Sequence, residues 1–147
     1  MARRLSRRHK TRVAVLQLAQ CGYCACALPE AFEVDHMDQR RWNDRSTNLL
    51  ACCANCHAAK TLVERRPERV DELHAMLRRA RNHKRQWRAA LRDMDDAELG
   101  KEARALPSWL VTRCGGALDA THMLRLGRIA LQPAPDWSMF AFKERAI

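Results

Sequence analysis

Aromatic residues are scarce, at 5% of 147 positions, so a large aromatic core is excluded even though a hydrophobic fraction of 47% suffices for a packed one. Long apolar runs are also missing. No stretch approaches the ~20 residues needed to cross a bilayer, and membrane-spanning functions are set aside. No internal repeat and no low-complexity segment is present. Acidic residues are absent from residues 1–12, where Arg3, Arg4, Arg7, Arg8, Lys10 and Arg12 precede the short apolar run Val13–Leu16. That layout imitates a secretion signal. However, the run is brief, Gln17 interrupts it, and no small-residue cleavage site precedes Cys21. The expectation is an intracellular protein in a reducing compartment, not a secreted one.

Positive charge is abundant and unevenly placed. Residues 1–92 hold 20 Lys and Arg against 9 Asp and Glu, whereas residues 93–147 hold 7 against 8. The net charge of +10 therefore comes from the first two thirds of the chain, as expected where a polyanion is met.

Cysteine is the most informative residue. Six of the seven cysteines fall within residues 21–56, and four form two Cys-x-x-Cys pairs, Cys21/Cys24 and Cys53/Cys56, with 28 residues between them. A tight turn brings residues i and i+3 together, so each pair can direct two thiolates at one ion. Two such knuckles complete the tetrahedral shell that zinc prefers. Without an export signal, this spacing points to structural Zn²⁺ rather than disulfides. Cys53 is preferred over Cys52 because only Cys53 has the two-residue spacing to Cys56. Cys26, Cys52 and Cys114 are expected to be buried thiols, with Cys26 or Cys52 the alternative zinc ligands.

The local pattern divides the chain into three parts. Residues 1–12 read as a flexible basic arm, residues 13–62 as a small core, and residues 63–147 as a helical extension. Within the core, residues 13–20 suit a short helix or strand. Phe32-Glu33-Val34 reads as a strand from its period of two, and Asn48-Leu49-Leu50-Ala51 as its returning partner. A helical pattern begins near Asn55 and breaks at Arg66-Pro67. A basic amphipathic helix then covers about residues 67–92, carrying Val70, Leu73, Leu77, Ala80, Lys84 and Trp87 on one stripe and Arg78, Arg79, Arg81, Arg85 and Arg88 on its open side. Its open side is a candidate surface for a polyanion. Asp95 or Asp96 can cap a short helix ending before Pro107. Gly115-Gly116 is a turn, and Asp119 or Thr121 can cap a helix to about Leu131, with Pro133 and Pro135 opening the tail. The helix, turn, helix look of residues 107–131 also suits a helix-turn-helix reader, but its near-neutral charge argues against that. His74, His83 and His122 have no ligand partners in the sequence and read as surface or packing residues.

Phe32-Glu33-Val34-Asp35-His36, then Asn48-Leu49-Leu50, then Cys53-x-x-Cys56-His57-x-x-Lys60 resembles the signature of the HNH endonuclease family, and the upstream Cys-x-x-Cys is similar to its zinc-binding subgroup. The resemblance covers about residues 21–61. It implies an α+β fold with a small ββα-metal core, and it implies a metal-dependent DNA endonuclease. In the implied assignment His36 is the general base, and Asp35 and His57 hold a catalytic divalent ion such as Mg²⁺. Asn48 tethers the loop and orients His36. The residue chemistry agrees. An unperturbed imidazole titrates near pH ~6.5, and a carboxylate suits a hard cation.

Arg40, Arg41, Arg45 and Lys60 are candidates to grip DNA phosphates. The family's Gly-Gly turn is replaced by Met37–Thr47, which has no glycine, so another loop path is expected, with Trp42 packed as its anchor. The implied partner is double-stranded DNA, with a homodimer through the C-terminal helices as a further option. A non-catalytic DNA-binding or packaging protein on the same scaffold is the alternative. An RNA-binding zinc ribbon is a third reading, and it leaves His36 and Asn48 unexplained.

Overall fold

A computed structural model describes residues 4–130. Helix α1 spans Arg7–Leu16, strand β1 Glu33–His36, strand β2 Leu49–Cys52, helix α2 Ala54–Glu64, helix α3 Val70–Asp93, helix α4 Asp96–Ala105, helix α5 Ser108–Cys114 and helix α6 Ala117–Ala130. A 3₁₀ turn at Pro67–Arg69 leads into α3. The fold is thus a small α+β one in which a two-stranded sheet is set among helices.

The strands pair antiparallel, with Glu33 opposite Cys52, Val34 opposite Ala51, Asp35 opposite Leu50 and His36 opposite Leu49. So short a sheet cannot stand alone. Every residue of β2 is buried, and the buried Gln17 side chain satisfies its backbone edge. The Gln17 amide accepts from Ala51 N at 2.8 Å and donates to Ala51 O at 2.9 Å.

The basic N-terminal segment corrects one expectation. Residues 1–12 were expected to be a flexible arm, but helix begins at Arg7, and the Ser6 side chain caps it by accepting from His9 N at 3.1 Å. The reason is a small inward face hidden among the arginines: Thr11, Ala14 and Val15 recur at three and four residues and are buried. After Leu16 the chain turns through Leu18 and Ala19, both in the left-handed region.

Packing also crosses the expected boundary between core and extension. Buried Val15, Tyr23 and Leu50 belong to the same hydrophobic cluster as Leu91, Leu99, Leu110 and Leu124. Helix α3 fastens several parts at once. His83 Nδ1 donates to Gly22 O at 2.8 Å, Lys84 Nζ donates to Ser46 O and Leu49 O at 2.6 Å each, and Trp87 Nε1 donates to Gln20 Oε1 at 3.1 Å. Phe32, just before β1, packs against Trp109 of α5.

The helix ends follow local chemistry. Asp95 caps α4 by accepting from Glu98 N at 2.8 Å. Gly115, at φ 98°, ends α5 in a conformation that favours glycine. Asp119 sits in the first turn of α6, which begins at Ala117, rather than capping it. The expected end near Leu131, with Pro133 and Pro135, lies outside the described residues. Among the described residues no helix is long and apolar enough to cross a membrane.

Candidate metal centre and neighbouring carboxylate–histidine site

The two cysteine knuckles converge. Cys21 and Cys24 sit in the turn after α1, Cys53 caps α2, and Cys56 lies in its first turn. Their four sulfur atoms lie within 4.8 Å of one another. Tetrahedral zinc with bonds of about 2.3 Å needs sulfurs about 3.8 Å apart, and Cys21 Sγ lies 3.9 Å from Cys53 Sγ. The donor set therefore fits a structural ion such as Zn²⁺. Burial, then the neighbouring sulfurs, push the Cys56 thiol well above its usual range, so a cation is needed to hold the cluster as thiolates.

Gly22 is required for the close approach of knuckle and sheet, because a Cβ there would collide with the Leu50 side chain. The remaining cysteines sort by position. Cys52 is buried on β2, and burial with nearby Asp35 raises its thiol pKa, so it stays protonated. Cys114 is buried as expected. Cys26 corrects the reading of a buried thiol, because it is exposed in the knuckle turn. Its sulfur is 2.9 Å from that of Cys24, too close for both to ligate one tetrahedral ion in this arrangement.

Beside the knuckles, β1 and α2 bring a second group together. Alternation along β1 directs Glu33 and Asp35 to one face. Both meet His57 from the start of α2. His57 Nδ1 pairs with Glu33 Oε2, and His57 Nε2 lies 3.7 Å from Asp35 Oδ1. The other carboxylate oxygen of Asp35 is occupied: Tyr23 OH donates to Oδ2 at 2.6 Å, and Lys60 Nζ lies 2.7 Å from it. Tyr23 stays protonated, because burial and then the Asp35 charge raise its pKa far above normal.

Lys60 corrects its expected role as a phosphate grip. It is 1% exposed, paired with Asp35 and Glu64, and it donates to His36 O at 3.1 Å. A buried ammonium is tolerable only with such partners, and here it fastens the end of β1 to α2.

His36 lies on the opposite face of β1. Its Nε2 is 2.9 Å from Asp44 Oδ1, so the structure does not bring its side chain into the Asp35–His57 group. If Nε2–H donates to Asp44, Nδ1 keeps its lone pair. Asn48 hydrogen-bonds across the loop: its amide donates to Asp38 Oδ1 and to Asn43 O, and its oxygen accepts from Asp38 N, each at 2.9 Å. It does so without touching the His36 ring, which Asp44 holds instead.

Arg40, Arg41 and Arg45 are exposed along the same loop. Trp42 corrects its expectation as a packed anchor. It is 74% exposed with the Arg40 guanidinium over its ring, because Asn48 and Asp38 hold the loop without it.

Glu33, Asp44 and Tyr23 were missed by sequence reasoning. Glu33 was recoverable, since period two on β1 puts it beside Asp35. Asp44 and Tyr23 meet their partners 8 and 12 residues away, across turns that no local pattern fixes.

Comparison of the chain with family models, curated proteins and solved structures gives no match.

Proposed function

We propose that this chain is a metal-dependent DNA endonuclease whose β1–loop–β2–α2 unit is an HNH ββα-metal core, with zinc as its structural staple. The observation that carries the reading is the Asp35–His57 pair. A carboxylate oxygen and a ring nitrogen 3.7 Å apart leave room for an ion bound to both. Glu33 on His57 Nδ1 fixes the tautomer that turns the Nε2 lone pair toward Asp35, an arrangement common behind metal-ligating histidines. Tyr23 and Lys60 hold the carboxylate so that Oδ1 remains for the ion.

Asp35 and His57 would hold a divalent ion such as Mg²⁺, which would supply positive charge to the scissile phosphate and the leaving oxygen. His36, held by Asp44 on the opposite face of β1, would have to reach the same phosphate from that side, taking a proton from water as the water oxygen bonds to phosphorus and the phosphorus–oxygen bond to the leaving strand breaks. Asp44 orients the imidazole and stabilises its protonated form. Arg40, Arg41 and Arg45 bind flanking phosphates of duplex DNA, and Asn48 keeps their loop in register.

One observation favours a second reading, a non-catalytic DNA-binding or packaging protein on the same scaffold. The Lys60 ammonium 2.7 Å from Asp35 already neutralises much of the charge that would attract a cation.

Supercoiled-plasmid cleavage by zinc-loaded protein separates the two. Conversion to open-circle or linear DNA with Mg²⁺ or Mn²⁺, abolished by EDTA and by His36→Ala with zinc retained, is the expected result. DNA binding in EDTA with no cleavage in any metal overturns the nuclease in favour of the scaffold. Equal cleavage by wild type and His36→Ala removes His36 from the mechanism.

A further inference from the structure

We infer that the basic groove edged by α1 and α3 is a docking surface for the phosphate backbone of duplex DNA. It is separate from the Asp35–His57 site and extends the endonuclease reading to a second face. Arg8 and Arg12 of α1 and Lys84 and Arg88 of α3 edge a hollow of about 710 Å³ whose other wall is α5 and α6, with Cys114, Met123 and Leu126. Arg81, Lys84, Arg85 and Arg88 line an adjoining hollow of about 310 Å³ together with Thr47 of the β1–β2 loop. The shared Arg88 makes this one cationic surface, the Lys84 ammonium being held between the hollows by Ser46 O and Leu49 O, and Thr47 joins it to the loop that carries Arg45.

The charge is uncompensated. None of Arg8, Arg12, Arg81, Arg85 or Arg88 has an ion-pair partner among the described residues, and Asp119 is the one carboxylate among the described lining residues of the larger hollow. From Leu73 to Arg92, α3 carries seven Lys and Arg and no acid. Like charges four apart repel along a helix, so stability alone does not account for the pattern.

The geometry suits a duplex backbone rather than a single strand. Arg81 to Arg88 rises about 10 Å along the helix, a length over which duplex DNA presents roughly six phosphate charges. Single-strand binding draws on exposed Trp, Tyr or Phe rings for base stacking, and the one such ring among the described lining residues, Trp87, is 8% exposed and hydrogen-bonded to Gln20.

The test is binding of a labelled DNA duplex in EDTA across a salt series, by fluorescence anisotropy. It needs no cleavage, so it stands or falls apart from the nuclease assignment. Arg12→Gln/Arg85→Gln takes one exposed charge from each helix, and Lys101→Gln/Arg104→Gln on α4 makes the same change in net charge elsewhere. Circular dichroism and zinc content establish that both fold. The groove variant is expected to weaken binding roughly 10- to 30-fold near physiological salt, with a salt slope shallower by about 0.9 for each phosphate no longer neutralised, while the α4 variant stays near wild type. Equal weakening in both variants, or none in the groove variant, overturns the inference. So does a groove variant that loses affinity for phosphatidylserine vesicles or single-stranded RNA while holding duplex DNA unchanged.

Discussion

The two clusters at the heart of the molecule share one helix and differ in nearly every physical respect. The thiol cluster has four like donors converging within 4.8 Å, enough to close a coordination shell. The carboxylate–histidine cluster offers two donors 3.7 Å apart, backed by Glu33, Tyr23 and Lys60, and leaves the rest of a shell open. A closed shell holds a fold together, whereas an open one can admit water and a phosphate. Tyr23 ties them, since it lies between the zinc-type ligands Cys21 and Cys24 and donates its hydroxyl to Asp35.

The sharpest break should come from the closed cluster. Cys53→Ala is expected to lose zinc and the cooperative fold together, because structural zinc contributes on the order of 10 kcal/mol in small sites. Circular dichroism and zinc per chain measure both. Asp35→Asn should leave both intact, and loss of zinc in that variant would merge the two sites into one.

Next in size, Glu33→Gln should raise the metal concentration for half-maximal cleavage by roughly 10–100-fold, with saturated activity changed far less. A metal titration of cleavage rate reads the split. A loss of saturated rate with unchanged metal dependence would move Glu33 out of the metal's support.

Tyr23→Phe probes the link itself. Losing the hydroxyl leaves Asp35 a partner short at about 1–3 kcal/mol of stability, read by urea denaturation with zinc content unchanged.

The last test concerns the α3 clamp. Burial first, then Arg88, lowers the Lys84 pKa to about 8 from its ordinary 10.5. Between those values the unfolded chain binds more protons than the folded one, so stability should rise with pH across that window. Lys84→Met should flatten that rise in urea titrations at several pH values.

How much of this was legible in the sequence depended on the range of the interaction. The paired cysteines, the strand alternation around Val34, the Asp95 cap and the Arg66-Pro67 break are local signals, and each led to an element at the expected place. The inward face of α1 was local too, but the arginines around Thr11, Ala14 and Val15 masked it. Burial of Lys60 could not be read, because only the fold brings Asp35, Glu64 and the His36 carbonyl around its ammonium. The clamp by His83, Lys84 and Trp87 was equally hidden. Each meets a partner at least 35 residues away, and nothing in an amphipathic stripe distinguishes a clamp from ordinary packing.

The central claim is that one chain holds two chemically different cation sites. Mn²⁺ titration of zinc-loaded protein, followed by electron paramagnetic resonance beside Asp35→Ala, tests it most directly. The account predicts one Mn²⁺ bound per wild-type chain, lost in Asp35→Ala while one zinc per chain remains in both. Mn²⁺ binding that survives Asp35→Ala, or no Mn²⁺ bound by the wild type, would contradict it.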